Sequence, residues 1–273
     1  MAPAPSPTPL VVAITGAGQG IGRGLALAFA RQGAAVVVSD IDAQRGADVA
    51  AEIGAAGAGQ AIAVAADVSQ ESACAHLVAQ AVHHFGRLDV MVCNAGIMQL
   101  KPLLELSGSD WDRMLAVNVK GTFLSLQAAA RQMLTQEPPQ PGRPRGKIIT
   151  LASIAGRSGA GAIAALIAPY RASKAAVISL TQSAAISLAP HVTVNAICPG
   201  LVETDMWRQM DRDLTALQGV PQGQAWQQRV AAVPMGRAQT PQDVAGLAAF
   251  LASPAADYMT GQSINIDGGL MMS

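Results

Sequence analysis

Charged and aromatic residues are scarce in this chain of 273 residues. Only 13% of the residues are charged and 3% are aromatic, and the net charge is zero. A basic stripe and stacking platforms for bases are both missing, which argues against a nucleic-acid partner. Cysteine is rare as well. Cys74, Cys93 and Cys198 show neither a disulfide framework nor a metal-ligand spacing, so a cytoplasmic protein is expected.

Long apolar runs are also lacking. The apolar stretch 160–168 is far shorter than the ~20 residues that span a bilayer, so no membrane partner is expected. Residues 1–9, MAPAPSPTP, predict a disordered tail rather than a signal peptide. What the chain does have is 51% hydrophobic residues, enough for a large core. No shift in composition marks a second domain, so residues 10–273 are expected to form a single domain.

Short β-rich segments alternate with helical patterns along the chain. Seven strands are predicted, at 10–14, 35–39, 61–65, 88–93, 147–151, 192–197 and 263–266. Helices are predicted at 20–32, 43–53, 69–85, 110–134 and 170–188. This alternation predicts an α/β fold with a doubly wound, seven-stranded parallel sheet covered on both faces. Such sheets bind ligands at the carboxyl ends of their strands.

The first predicted strand runs into a glycine-rich turn, TGAGQGIG at residues 15–22. Gly16, Gly20 and Gly22 have the spacing G-x-x-x-G-x-G, whereas Ile21 stands where the G-x-G-x-x-G fingerprint has its third glycine. Glycines let the backbone approach a pyrophosphate, and the following helix N-terminus supplies N–H donors. The turn therefore predicts a dinucleotide site, although a tight turn without a ligand has the same composition.

Asp40 follows the second predicted strand directly. An acid at this position accepts hydrogen bonds from an adenosine ribose and repels a 2′-phosphate. Gln19 and Ile41 offer no basic side chain to such a phosphate, so the sequence favours NAD over NADP. Asp40 could instead cap the next helix, a role for which Asp42 competes.

Tyr170 and Lys174 are four residues apart on the helix predicted at 170–188, so both lie on one face. An ammonium held beside a phenol favours the phenolate and lowers the tyrosine pKa from about 10. Such a tyrosine is a usable acid or base near neutral pH. Taken alone, the pair is more often accidental, and its meaning depends on the other motifs.

Together these motifs resemble the classical short-chain dehydrogenase/reductase family from Leu10 to the C-terminus. The resemblance includes an acid after the third strand, an Asn-Ala-Gly motif after the fourth, a helix asparagine and a serine after the fifth. In chain order these further positions are Asp67, Val68, Asn94, Ala95, Gly96, Asn118, Ser153, Pro199, Gly200 and 267–269. Segments 174–199 and 232–237 are similar to bacterial polyol dehydrogenases of the sorbitol and galactitol type.

The resemblance implies a Rossmann-type domain that transfers a hydride between NAD and a secondary alcohol, first of all a sugar alcohol. The catalytic residues it implies are Ser153, Tyr170, Lys174 and Asn118. Ser153 would orient the substrate oxygen, and Asn118 would hold a water that connects Lys174 to solvent. The cofactor contacts it implies are Gly16, Gln19, Gly20, Ile21, Gly22, Asp40, Ile41, Asp67, Val68, Asn94, Ala95, Gly96, Tyr170, Lys174, Pro199, Gly200, Val202 and Thr204.

One departure from the family concerns the segment between Ser153 and Tyr170, which is longer than usual through residues 156–168. Ser158 therefore competes with Ser153 for the orienting role. Ser153 is preferred because it continues directly from the fifth strand. The extra length bears on the prediction of the substrate more than on the prediction of the chemistry.

Residues 203–233 have no strand pattern and are rich in glutamine, and we expect them to form a lid over the substrate. Glu203 or Asp205 could bind polyol hydroxyls or lie on a solvated surface. The resemblance also implies a homotetramer built on the helices near Asp110 and Tyr170. No metal is expected, since residues 270–273 carry no metal-ligand side chains.

Two other functions remain open. Within the family, the protein could act on a cyclic ketone, a hydroxy acid or a small diketone. Outside catalysis, it could be a non-catalytic NAD-sensing protein, against which the complete set of Ser153, Tyr170 and Lys174 argues.

Overall fold

The computed structural model describes residues 9–158, 162–219 and 221–272. Its strands are β1 (Val11–Thr15), β2 (Ala35–Asp40), β3 (Ala61–Ala65), β4 (Val90–Cys93), β5 (Gly146–Leu151), β6 (Val192–Pro199) and β7 (Ser263–Ile266). They form one sheet in the order β3-β2-β1-β4-β5-β6-β7. Every neighbouring pair is parallel, which confirms the predicted fold class.

The helices are α1 (Gly20–Arg31), α2 (Ala43–Ala55), α3 (Glu71–Phe85), α4 (Gly108–Leu115), α5 (Gly121–Thr135), α6 (Ala168–Leu188), α7 (Asp205–Gln218), α8 (Gln224–Ala231) and α9 (Pro241–Ala252). None of the helices in the described ranges is long and apolar enough to cross a bilayer. The predicted tail at 1–9 lies outside the described residues except for Pro9. Residues 159–161 of the lengthened segment and residue 220 of the expected lid lie outside them too.

The core lies on both faces of the sheet because strand residues alternate between them. Ile14 of β1 packs with Leu25 of α1 and Leu251 of α9 on one face. Its neighbour Ala13 packs with Leu77 of α3 on the other face. Burial on both faces explains why the strands are almost continuously apolar. The carboxyl ends of the strands are left free to carry polar residues.

The helix expected at 110–134 is instead two helices, α4 and α5, joined by a π-helical turn at Ala116–Lys120. Asn118 lies in this turn and is fully buried. Its Oδ1 accepts a hydrogen bond from the Ile97 N–H at 2.8 Å, and its Nδ2 donates to the Ile97 carbonyl at 3.0 Å. The asparagine therefore ties the wide turn to the segment that follows β4. Turns of this kind are frequent at functional sites.

Candidate active site

A cavity of about 980 Å³ lies at the carboxyl ends of the central strands. It is lined by the turn after β1, by Asp40 at the end of β2, and by the segments that follow β4, β5 and β6. The predicted site residues line this cavity, with two exceptions. Gly22 and Asn118 lie behind its wall. The structure thus brings together residues that are far apart in the sequence.

The glycine-rich turn is held closely against the segment that follows β4. Gly16 has φ +63°, and a Cβ there would lie 2.8 Å from the Ala95 Cα. Asn94 Nδ2 donates to the carbonyls of Thr15 at 2.8 Å and Gly16 at 3.0 Å. A Cβ on Gly22 would collide with the Gly16 carbonyl and the Asn94 amide, so Gly22 supports the turn from behind. The cavity side of the turn, at the α1 N-terminus, is suited to an anion.

Asp40 and Asp42 have different partners. The carboxylate of Asp40, only 9% exposed, accepts hydrogen bonds from the N–H groups of Gly18 at 2.9 Å and Asp42 at 3.1 Å. Asp42 caps α2 by accepting from the N–H groups of Gln44 and Arg45. The cap is therefore Asp42, and Asp40 is held at the cavity wall.

Arg45 lines the same end of the cavity, and it is absent from the residues that the sequence predicts there. Its Nη1 donates to Gln19 Oε1 at 2.5 Å, and its Nε lies 3.3 Å from Asp42 Oδ2. Gln19 and Ile41 are next to the predicted ribose site in the sequence, whereas Arg45 reaches it only through the fold. The signal that could have found Arg45 is its position three residues after Asp42 on one helix face.

Asp67 lies at the cavity wall after β3. It accepts hydrogen bonds from the N–H of Ser69 at 2.9 Å and from its hydroxyl at 2.8 Å, and these bonds hold the Asp67 pKa below its usual value. Because α3 begins at Glu71 with Gln70 at the cap, Asp67 does not cap that helix. Its carboxylate remains ionised at the edge of the cavity.

Tyr170, Lys174 and Ser153 meet where α6 crosses the end of β5. The Ser153 hydroxyl accepts a hydrogen bond from the Ala155 N–H at 3.1 Å, and its influence on Tyr170 lowers the pKa of that phenol. Lys174 Nζ donates to the Leu151 carbonyl at 2.6 Å and lies 5.7 Å from the centroid of the Tyr170 ring. The geometry thus favours Ser153 as the partner of Tyr170.

Ser158, the rival of Ser153, also lines the cavity. Its carbonyl accepts a hydrogen bond from Arg171 Nη2 at 2.7 Å, and Arg171 Nε donates to the Ala155 carbonyl at 3.2 Å. This guanidinium ties the segment after Ser153 to α6. The contact gives Ser158 a role in holding the lengthened segment in place.

Burial shifts the pKa values of both α6 residues. It raises the pKa of Tyr170, and the hydrogen bond with Ser153 partly offsets this rise. Burial also lowers the pKa of Lys174 to about 8. The expected lowering of the Tyr170 pKa by the lysine is not seen in the protein alone. The ammonium lies over the ring, and desolvation of the phenolate is the larger effect.

A buried polar group connects α6 to the π-helical turn. Asn118 Nδ2 is 3.0 Å from Ser173 Oγ. A Cβ on Gly96 would lie 3.4 Å from Asn118 Oδ1 and 3.5 Å from Lys174 Nζ. Gly96 therefore leaves the space between the amide and the ammonium open. The water that we expect Asn118 to hold there remains a prediction.

The far end of the cavity is apolar. Ile163, Ile167 and Met210 are buried in one cluster against which Met98 and Trp207 pack, and all five line the cavity. The sequence did not reveal this wall because its members come from three distant segments. The segment after β4, the residues between Ser153 and α6, and the buried face of α7 meet only in the fold.

The two acids considered for polyol binding lie elsewhere or are already paired. Glu203 is exposed and does not line the cavity. Asp205 lines it but is exposed and forms an ion pair with Arg208 at 2.9 Å. Within the described parts of the chain, no three His, Cys, Asp or Glu side chains are grouped as around a metal ion.

The chain is similar to known oxidoreductases over most of its length. Residues 16–271 match the family described as Enoyl-(Acyl carrier protein) reductase. Sorbitol dehydrogenase of Cereibacter sphaeroides is 42% identical over 246 residues, covering 90% of this chain and 91% of the relative. Galactitol 2-dehydrogenase of Agrobacterium fabrum is 41% identical over 247 residues, covering 90% and 91%.

Two further comparisons concern a smaller substrate and a solved structure. Diacetyl reductase [(S)-acetoin forming] of Staphylococcus epidermidis is 42% identical over 214 residues, covering 78% of this chain and 79% of the relative. The crystal structure of a short-chain type dehydrogenase/reductase from Mycobacterium marinum superimposes with a TM-score of 0.84 and 35% identity. That likeness covers 98% of both chains.

Proposed function

The chain belongs to the short-chain dehydrogenase/reductase family and is an oxidoreductase of secondary alcohols and ketones; we propose that NAD is its cofactor and a polyol its first candidate substrate. The observation that carries the proposal is the meeting of Tyr170, Ser153 and Lys174 in the cavity that the glycine-rich turn also lines. A protein that only senses NAD has no need for this group of side chains.

The cavity suits a nicotinamide dinucleotide. The turn at 15–22 presents backbone and a helix N-terminus to a pyrophosphate, and Asp40 faces the place of an adenosine ribose. Val202 and Thr204 line the cavity after β6, where they would contact the nicotinamide end. A nicotinamide bound there would supply the hydride acceptor for oxidation and the hydride donor for reduction.

The proton is handled by three side chains of this chain. Ser153 donates a hydrogen bond to the substrate oxygen and fixes its position against Tyr170. Tyr170 removes the hydroxyl proton during oxidation and returns it during reduction. Lys174, held by the Leu151 carbonyl, keeps a positive charge beside the ring. That charge has to offset the burial that raises the Tyr170 pKa.

NAD is favoured over NADP because the Asp40 carboxylate lies at the cavity wall, where it would repel a 2′-phosphate. Arg45 is the opposing feature, since a guanidinium attracts phosphate. Its hydrogen bond to Gln19 and its contact with Asp42 engage that group already.

The names of the relatives favour sugar alcohols and, second, small diols or hydroxyketones. The apolar far wall of the cavity supports the second class, since hydrocarbon gives no partners to a row of hydroxyls. Oxidation of sorbitol, galactitol and 2,3-butanediol with NAD or NADP, followed by NAD(P)H absorbance, tests the activity. If NADH binds tightly but none of these alcohols is oxidised, a non-catalytic NAD-sensing protein would be favoured.

The role of Tyr170 has its own test. We expect Tyr170→Phe to lower turnover by about 10²–10⁴-fold, the usual contribution of a general acid or base, with NADH affinity nearly unchanged. Stopped-flow reduction and NADH titration measure the two quantities. Near-normal turnover in this variant would contradict the assignment, and Tyr258→Phe at a fully exposed tyrosine serves as the control.

Three broader features complete the proposal. Residues 203–233 form the substrate lid, supported by Trp207 and Met210, which line the cavity. The protein is a homotetramer, supported by an apolar depression across α4, α5 and α6. It is cytoplasmic, supported by three cysteines that are all free and buried.

A further inference from the structure

The substrate end of the cavity combines apolar walls with a half-buried guanidinium. Arg229, in the last turn of α8, lines the cavity together with Trp207 and Met210. Its guanidinium carbon lies 5.5 Å from the centroid of the Trp207 ring, a cation–π contact. Trp207 packs against the same cluster as Tyr170. A charged group is therefore built into the wall that faces the substrate.

Arg229 differs from the other arginines of the lid in its partners. Arg208 pairs with Asp205 at 2.9 Å, and Arg212 donates to Gln209 at 2.6 Å. For Arg229, no Asp or Glu within residues 9–158, 162–219 and 221–272 forms an ion pair. Desolvation is also the cause that lowers the pKa of Arg229. A desolvated cation without a counter-ion is costly, and a bound anion would remove that cost.

The walls around this cation restrict what the rest of the ligand can be. Ile163, Ile167 and Met210 offer hydrocarbon, and Trp207 offers an indole face. A sugar alcohol placed against them would lose hydration at several hydroxyls without new partners. A hydrocarbon body gains from the same contact.

We propose that the substrate is a secondary alcohol, or its ketone, that has an apolar body and an anionic oxygen group bound by Arg229. The anionic group is a carboxylate or a phosphate ester. This inference rests on the proposed reaction and cofactor, and it replaces the polyol by an anionic alcohol with an apolar body as the favoured substrate. Oxidation breaks the carbinol C–H bond with transfer of the hydride to NAD, and the O–H proton passes to the Tyr170 phenolate, which becomes the neutral phenol. The anionic group takes no part in this step and determines which alcohols bind.

Matched substrates test the proposal. Two anionic alcohols, 3-hydroxyhexanoate and 3-hydroxyhexyl phosphate, are compared by kcat/KM with two neutral ones, methyl 3-hydroxyhexanoate and sorbitol, all with NAD. We expect one of the two anions to exceed both neutral compounds by about tenfold or more, as for a charge-assisted hydrogen bond. The anionic alcohol with the higher kcat/KM shows whether the bound group is a carboxylate or a phosphate ester.

Three variants locate the effect. Arg229→Met keeps the apolar stem on Trp207 and should remove the preference for the anion over the ester by raising the KM of the anion. Arg229→Lys should recover part of the preference. Arg212→Met, on the same lid but outside the cavity, should leave it intact. Equal kcat/KM values for 3-hydroxyhexanoate, 3-hydroxyhexyl phosphate and the methyl ester would overturn the inference. An equal loss of kcat/KM for all three compounds in Arg229→Met would overturn it as well.

Binding without turnover separates this inference from the proposed function. Tryptophan fluorescence gives the affinity of the NADH-loaded enzyme for hexanoate, hexyl phosphate and hexanamide. One anion should bind about tenfold more tightly than the amide, and Arg229→Met should abolish the difference. Equal binding overturns the inference, even if sorbitol is oxidised and the proposed function stands. Anion-selective binding supports it, even if no alcohol in the panel is oxidised and the proposed function fails.

Discussion

Burial and charge act against each other at the two α6 residues of the site. A fully solvated tyrosine or lysine would be protonated at neutral pH, and burial disfavours the ionised form of both. Here it raises the Tyr170 pKa and lowers the Lys174 pKa to about 8. The lysine is thus brought close to the pH at which it gives up its proton, while the phenol holds its own more firmly. Proton transfer at this site therefore depends on small changes in local charge.

The Lys174 shift predicts how stability changes with pH. Between about pH 8 and pH 10.5 the unfolded chain holds a proton on Lys174 that the folded protein has lost. The free energy of unfolding should therefore rise with pH across this window, and this pH dependence should vanish below it. Relative to Lys174→Met, the wild type should gain about 2 kcal/mol between pH 8 and pH 9.5.

Urea denaturation of both proteins across this range measures the difference. Burial also lowers the pKa of Lys147. Because Lys147 is present in both proteins, its contribution to the pH dependence cancels in the difference. Parallel pH profiles for the wild type and the variant would show that Lys174 keeps its ordinary pKa when buried.

Cofactor choice is decided by Asp40 and Arg45. We expect Asp40→Ala to lower the ratio of kcat/KM for NAD over NADP by about tenfold or more, because the repulsion of a 2′-phosphate is removed while Arg45 stays. Initial rates with both cofactors measure the ratio. In the double variant with Arg45→Ala, the kcat/KM for NADP should fall again, whereas the kcat/KM for NAD should stay the same. An unchanged ratio in Asp40→Ala would show that the ribose lies elsewhere.

At the scale of helices and strands, the seven strands and the helices up to α6 were predictable, whereas the helices after β6 were not. The strand β3 has the predicted bounds because it is a short apolar run, and the start of α6 differs from the prediction by two residues. The helix α7 was not recognised although Trp207, Met210 and Leu214 recur on one face at helical spacing, and α8 was not recognised because glutamines interrupt its apolar residues. The helix α9 was missed although Thr240 and Asp243 form a capping box, a signal that could have found it.

The same division explains what was predictable in the site. Asp40, Tyr170 and Ser153 follow strands or share a helix face, so sequence order alone places them at one edge of the sheet. Arg229 and the wall of Ile163 and Met210 depend on how the lid folds back over that edge. Tertiary contacts of this kind leave no pattern within a single segment.

The lid helices are joined by one buried carboxylate. Asp211, 7% exposed, accepts hydrogen bonds from the N–H groups of Gly223 at 2.6 Å and Trp226 at 3.4 Å. We expect Asp211→Ala to loosen α8 from α7 and to raise the substrate KM by about tenfold, the effect of losing a charge-assisted hydrogen bond. NADH affinity should change little.

Steady-state kinetics and limited proteolysis within 203–233 measure the result. Asp213→Ala, on the same helix and bonded to Gln209 at 2.8 Å, is the matched control. An equal effect of the two variants, or unchanged cleavage in Asp211→Ala, would argue against a mobile lid held by this contact.

At the scale of the whole molecule, an apolar depression predicts how copies assemble. Leu115, Val119, Phe123 and Leu180 line it, and Phe123 is 40% exposed. We expect Phe123→Asp to convert a tetramer to smaller species, since a charge on this face would be buried without a partner. Light scattering after size exclusion measures the mass. Leu104→Asp, at a 97% exposed leucine outside the depression, should leave it unchanged. A monomeric wild type would refute the assembly.

The bond from Lys174 Nζ to the Leu151 carbonyl has a consequence for how the enzyme can be redesigned. It fastens α6 to the end of β5 next to Ser153 by a contact that does not involve the chain between Ser153 and Tyr170. Residues 154–167 and 203–233 can then be exchanged as segments while Ser153, Tyr170 and Lys174 are kept. Grafting both segments from a relative should transfer that relative's selectivity while the chemistry remains that of the host.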